Sequence, residues 1–180
     1  MLKFVKLKKQ HLQLVLDWRT SPEITRLMST DIEYNLENQK AWFKKISIDN
    51  TCKYWVIEYK QQLVGVISLH NIDYHHGSCY GGYYIGDLNY RAKLGGLIPL
   101  LLLKYVFSTE NLNKHIADVF TDNKKVLDLY KSYGYREVGV LRRHIRKNNK
   151  WHDMTLLEFT SEHWTVLKEK YLRYDAVFEQ

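Results

Sequence analysis

Apolar and polar residues alternate over positions 2–7, with lysines set between Leu2, Phe4, Val5 and Leu7, which predicts a half-buried strand. The period then changes. Leu12, Val15, Leu16 and Trp18 recur at helical spacing over 11–19, and Pro22 is placed to begin a second short helix. Residues 31–36 read as a loop. Helical spacing returns over 37–48, with Ala41, Trp42, Lys45 and Ile46 on one side. Strands are predicted over 54–59 and 63–72 around a Lys60-Gln61-Gln62 hairpin. After a turn over 74–78, a strand from Tyr80 to Ile85 bends at Gly86. Residues 89–96 form a basic, glycine-containing loop, and 97–107 is apolar enough for a buried helix. A β-branched run over 115–121 predicts a strand. Asp122 opens a helix carrying Val126, Leu127, Tyr130 and Tyr133, which Gly134 closes. Strands over 135–145 and 151–159 flank a basic turn at 146–150, and Ser161 caps a last helix running to Leu172. With no internal repeat or linker, residues 1–180 read as one domain of mixed α and β structure.

Composition narrows this picture. Hydrophobic residues at 45% and charged residues at 26% argue against disorder. A formal net charge of +7 suits anionic partners or a solvated basic surface. Cys52 and Cys79 form no CxxC pair and read as reduced thiols of a cytoplasmic protein. The 97–107 run is too short to span a bilayer. His75 and His76 lack a second ligand pair, so a turn, and no metal site, is expected there.

The chemistry concentrates in 80–134. A basic glycine loop at a helix start presents backbone N–H groups and a dipole end to an anion, which suits a pyrophosphate-bearing cofactor. The loop reads Arg91-Ala92-Lys93-Leu94-Gly95-Gly96. Asp122-Asn123, Leu129-Tyr130-Lys131 and Gly134-Tyr135 follow it at regular spacing. Together these resemble the GCN5-related N-acetyltransferase (GNAT) superfamily over nearly the whole chain. The loop departs from the superfamily's Arg/Gln-x-x-Gly-x-Gly/Ala pattern in having Leu94 at the first glycine, with Gly95 one place later. Pro99 would delay or kink the helix that follows. Trp18 to Ile24, Met28, Trp42-Phe43, the strand Gly65-Val66-Ile67-Ser68 and Tyr80 resemble the branch that acetylates an amino-sugar nucleotide in pseudaminic acid biosynthesis. Tyr90-Arg91 and Val138-Gly139 also fit the pattern of the ribosomal-protein and sugar-nucleotide branches.

The resemblance implies an α/β (α+β) fold with a central twisted mixed sheet of about seven strands flanked by helices. It implies an acetyl-CoA-dependent N-acetyltransferase acting on a UDP-linked 4-amino sugar, with no metal. Protein N-terminal acetylation is the runner-up. Arg142, Arg143, Arg146, Lys147 and Lys150 form a basic hairpin that reads first as a solvated turn and second as a contact for nucleotide phosphate or nucleic acid, and a nucleic-acid module using it is a reading of another class. Tyr84 and Ile85 would offer strand backbone to the cofactor, on a strand that a bulge at Gly81-Gly82 splays from its neighbour. Arg91, Ala92, Lys93, Gly95, Gly96, Asn123, Tyr130 and Lys131 would complete the cofactor site. Tyr130 is the candidate proton donor, the alternative being a core tyrosine. Asp118, a carboxylate inside an apolar strand, is the candidate base, the alternative being a structural salt bridge, and Ser68 is a candidate relay, the first reading being a hydrogen-bonded strand serine. Asn123 serves either the cofactor or the helix cap. Met28, Trp42 and Tyr80 would line the sugar-nucleotide slot. The oligomeric state stays open, a homodimer included.

Overall fold

The computed structural model describes residues 2–171 and 173–179. Its strands are β1 (Leu2–Lys6), β2 (Lys53–Tyr59), β3 (Gln62–Asp73), β4 (Ser78–Ile85), β5 (Lys114–Phe120), β6 (Arg136–Lys147), β7 (Lys150–Thr160) and β8 (Val177–Phe178). The helices are α1 (Leu12–Thr20), α2 (Pro22–Thr25), α3 (Leu36–Ile46), α4 (Arg91–Leu94), α5 (Ile98–Ser108), α6 (Lys124–Ser132) and α7 (Ser161–Tyr171). The strands form one mixed sheet in the order β6-β7-β5-β4-β3-β2-β1-β8. The expected sheet of about seven strands gains an eighth. β8 is too short to show a period, and it pairs in parallel with Lys3 and Phe4. Phe178 sits with its ring centroid 4.2 Å from those of Phe4 and Tyr105. The expected end of the last helix at Leu172 lies outside the described residues.

Local chemistry accounts for the turns. Lys60 and Gln61 have φ of 50° and 64°, and Asn148 and Asn149 have 50° and 59°. Two successive left-handed residues are what a two-residue hairpin requires. Pro99 lies in the first turn of α5, where no N–H is needed, so it starts the helix without kinking it. The expected loop at 89–96 is largely helical: a 3-10 turn over Leu88–Tyr90 runs into α4. Leu94, the departure from the glycine pattern, is 1% exposed and anchors that turn in the core.

Alternation along the strands sorts side chains onto two faces. Ile67, Leu69, Ala117 and Val119 join α5 and α7 in the larger core. Val56 and Val66 join Val15 of α1 in a smaller core, with Trp18, Trp42 and Tyr84 packed against it. Among the described residues no helix is long and apolar enough to cross a membrane.

One irregularity shapes the molecule. β4 and β5 pair in parallel only at Ser78↔Lys114, Cys79↔His115 and Tyr80↔Ile116. Beyond Tyr80, β4 keeps only β3, and beyond Ile116, β5 keeps only β7. The strands part there without the expected bulge at Gly81-Gly82. The β3–β4 register runs unbroken from Gly65↔Ile85 to His70↔Tyr80 and shifts only between His70 and Asp73. Gly81 acts by close approach instead. A Cβ there would lie 2.4 Å from His115 Nε2, so only glycine lets this imidazole pack against the strand at the fork. A Cβ at Gly82 would meet nothing within 4 Å, because that position faces the opening.

His115 is 1% exposed, and Tyr135 Oη lies 2.8 Å from its Nδ1. Burial lowers its pKa to about 3. The unfolded chain takes up this proton near 6.5 and the native imidazole only near 3, so stability falls as pH drops below about 6.5. Between pH 6.5 and 5 this one group costs about 2 kcal/mol. Thermal melts should therefore shift down over that interval, and less steeply in a His115→Gln variant. Equal slopes for the two proteins would contradict the assignment.

Candidate active site

The parting of β4 and β5 opens a cleft of about 1580 Å³. It passes through the sheet, since Tyr83 on the larger-core side and Tyr84 on the smaller-core side both line it. Arg91, Ala92, Gly95, Gly96, Asn123, Val126 and Tyr130 line one half. Arg19, Met28, Trp42, Tyr54, Ser68 and His70 line the other, with Asp118 between.

In the first half the glycine loop is held by two tyrosines that sequence reasoning missed. The Tyr83 hydroxyl donates to Gly95 O at 2.5 Å, and the Tyr133 hydroxyl donates to Gly96 O. Their carbonyls are thus occupied, and burial pushes the Tyr133 phenol up to about 12, so it stays protonated. Gly95 tolerates no side chain, since a Cβ would lie 2.8 Å from Arg91 O. The first turn of α5 follows at once, with N–H groups that have no intrahelical partner. Arg91 Nη2 is buried without a partner among the described residues. Asn123 is the N-cap residue of α6, yet its side chain makes no capping bond and lines the cleft. An anionic, amide-bearing cofactor such as acetyl-CoA fits this set: cationic and N–H donors for phosphates, and unpaired strand edges for an amide chain.

Three expected site residues lie elsewhere. Lys93 is exposed, with its ammonium 5.2 Å from the Tyr59 ring centroid, and does not line the cleft. Lys131 points away on α6 into an ion pair with Glu137 at 2.6 Å. Tyr80 also falls outside the lining and stacks on His70, with centroids 5.8 Å apart. Helical and strand directions, which a motif string does not carry, decide all three. Tyr84 and Ile85 do line the cleft.

At the centre, Tyr130 is 5% exposed and crosses Tyr135 edge to face at 4.8 Å. Burial is the main cause that raises its phenol well above the usual 10, so it carries its proton at neutral pH. Asp118 is not embedded in the apolar layer, as a mid-strand carboxylate suggested. It lies on the opposite face from Ala117 and Val119, is exposed to the cleft, and has no ion pair among the described residues. His70 is a further candidate, two residues from Ser68 on the same strand face. Desolvation lowers its pKa below 6.5, against the pull of Asp118, which leaves the imidazole neutral and able to accept a proton at pH 7. The alternation of β3 carried that signal.

In the second half, Arg19 donates through Nη2 to Thr30 O at 2.6 Å and Thr30 Oγ1 at 2.8 Å, while its Nη1 is buried without a partner. Trp42 meets Tyr54 edge to face at 5.2 Å. In the basic hairpin Arg142, Arg143, Arg146 and Lys150 are exposed, as a solvated turn requires, and Lys147 departs from them. Lys147 is 7% exposed and bonded to the segment that carries Met28. Neither cysteine lines the cleft, and burial drives the Cys79 thiol up to about 12. Among the described residues no group of three or more His, Cys, Asp or Glu could hold a metal ion.

Residues 5–156 match the acetyltransferase (GNAT) domain family. The chain is 32% identical over 130 residues to acetyltransferase PseH of Campylobacter jejuni, covering 71% of this chain and 78% of that protein. It is 25% identical over 111 residues to the [ribosomal protein uS5]-alanine N-acetyltransferase of Escherichia coli, covering 59% and 55%. Its backbone matches a crystal structure of spermidine N-acetyltransferase from Vibrio cholerae in complex with CoA and spermine, with a TM-score of 0.85 over 91% of this chain and 98% of that one. At 21% identity that likeness establishes the fold alone. A forked sheet, a pinned glycine loop at a helix start and the family match over 5–156 together make this chain a member of the GNAT family, an acetyl-CoA-dependent N-acetyltransferase.

Proposed function

We propose that this one-domain enzyme moves the acetyl group directly from acetyl-CoA to the 4-amino group of a UDP-linked amino-dideoxy sugar in pseudaminic acid biosynthesis. The observation that carries the reading is the charge of the cleft. Its basic lining residues are Arg19, Arg26, Arg91 and Lys125, and its acidic ones are only Glu33 and Asp118. A polyamine or a peptide ammonium calls for carboxylates, whereas two nucleotide ligands call for cations. Met28, Trp42 and Tyr54 add thioether and aromatic surface for a base or a 6-methyl group. The similarity to PseH supports the same choice.

Acetyl-CoA supplies the thioester. The loop carrying Gly95 and Gly96, with Arg91 and Asn123, holds the phosphates and arm. The strand edge at Tyr84 and Ile85 orients the carbonyl. As the amine nitrogen bonds to the carbonyl carbon it sheds a proton, for which Asp118 and neutral His70 are the available acceptors, with Ser68 placed to relay it. The C–S bond breaks, and the Tyr130 hydroxyl gives its proton to the departing sulfur. No acyl-cysteine is formed, since both thiols lie outside the cleft.

A panel of UDP-amino sugars, N-terminal peptides and polyamines assayed with acetyl-CoA should show turnover of a UDP-4-amino sugar, with UDP competing against that acceptor. Turnover confined to peptides or polyamines would overturn the assignment. In the Tyr130→Phe variant kcat should fall roughly 10²–10⁴-fold with acetyl-CoA affinity kept. A near-wild-type kcat, with chemistry rate-limiting, would return Tyr130 to the core.

A further inference from the structure

The ammonium of Lys147 comes from the end of β6, yet it bonds far across the chain. It donates to Thr25 O at 2.5 Å and Met28 O at 2.8 Å, and pairs with Asp31 at 2.6 Å. An ammonium has three protons, and all three have acceptors here. Burying a lysine is costly unless it is paired and hydrogen-bonded, so this one requires the contacts that it makes. Its partners belong to one short stretch, 25–31, that begins at the end of α2 and carries Met28 and Thr30 along the cleft. Thr25 O and Met28 O are carbonyls at the C-terminal side of that turn, where a cation is favoured. The same stretch is also bonded by Arg19 at Thr30. Among the described residues no hydrogen bond or ion pair ties it to the glycine loop, which Tyr83 and Tyr133 fix separately.

We propose that Lys147 is a positioning residue that latches the β6–β7 hairpin to the 25–31 segment and so sets the wall of the acceptor half of the cleft. This rests on the assignment of that half to the acceptor. Lys147 touches no reacting atom and acts through Met28 and its neighbours. The two halves of the cleft are therefore held by independent devices, and loss of one leaves the other in place. Arginine could keep the charge, but its planar fork fits two carbonyls and a carboxylate less well than a rotating ammonium.

The test uses the full-length protein and the substitutions Lys147→Met, Lys147→Arg and Asp31→Asn. The first keeps the aliphatic stem and removes all three donors. Hydrogen exchange of amides 25–31 should quicken about tenfold in Lys147→Met, while amides 91–96 and acetyl-CoA affinity by calorimetry stay as in the wild type. With the amine that the panel finds to be acetylated, kcat/KM should fall about 10–100-fold, chiefly through KM of the acceptor. Lys147→Arg should recover part of that loss. Asp31→Asn, which removes one leg at an exposed carboxylate, should give the same pattern more weakly, and it reads the latch if Lys147→Met fails to fold. Unchanged exchange over 25–31, or acceptor KM and acetyl-CoA affinity worsening together, would overturn the proposal. The exchange and calorimetry need no acceptor, so if no UDP-amino sugar is acetylated the latch is still decided, and only the substrate assignment fails.

Discussion

After Tyr80↔Ile116 two neighbouring parallel strands stop pairing, and the functional half of the molecule follows from that. A strand interior normally shares its backbone donors and acceptors with both neighbours. From Gly81 to Ile85, β4 has lost one of them. Each buried polar group left alone costs about 1–3 kcal/mol, so the fork persists only where something else holds it open and something polar fills it. His115 against Gly81 wedges one face, and β5 remains firmly paired to β7 on its far side. The opening then lets one cleft reach both faces of the sheet.

Rigid attachments around the fork divide the work. Tyr83 and Tyr133 bind the carbonyls of Gly95 and Gly96 and so fix the loop's backbone, within which the Gly95 N–H bonds back to Arg91 O. Arg19 and Lys147 both bind the 25–31 segment, at Thr30 and at Thr25 and Met28. Between them, Tyr130 is kept protonated by burial, whereas Asp118 is open to the cleft and His70 is kept neutral. Different environments thus keep a phenol protonated and an imidazole neutral on adjacent elements.

Much of this was legible in the sequence because it is local. Alternation placed β1, short apolar and β-branched runs between turn residues placed β2 to β7, helical spacing placed α1, α3 and α6, an apolar run placed α5, and the basic glycine loop with Asn123 and Tyr130 marked residues that line one half of the cleft. What stayed hidden depends on direction or on distant partners. Lys93 and Lys131 share a motif with true lining residues but point elsewhere. Lys147 looked like one more cation of a solvated turn, and only tertiary packing shows that it is buried. Tyr83 and Tyr133 were two of fourteen tyrosines, with no local sign of a bond across the fold. β8, two residues long, is defined by the edge of β1 and not by its own pattern.

Hydrogen exchange with and without acetyl-CoA tests the central claim, that the unpaired edge of β4 and the pinned loop form the cofactor seat. Protection should rise over residues 81–85 and 92–96 and leave β1 and β2 unchanged. Protection confined to other segments, or none over 81–85, would contradict it.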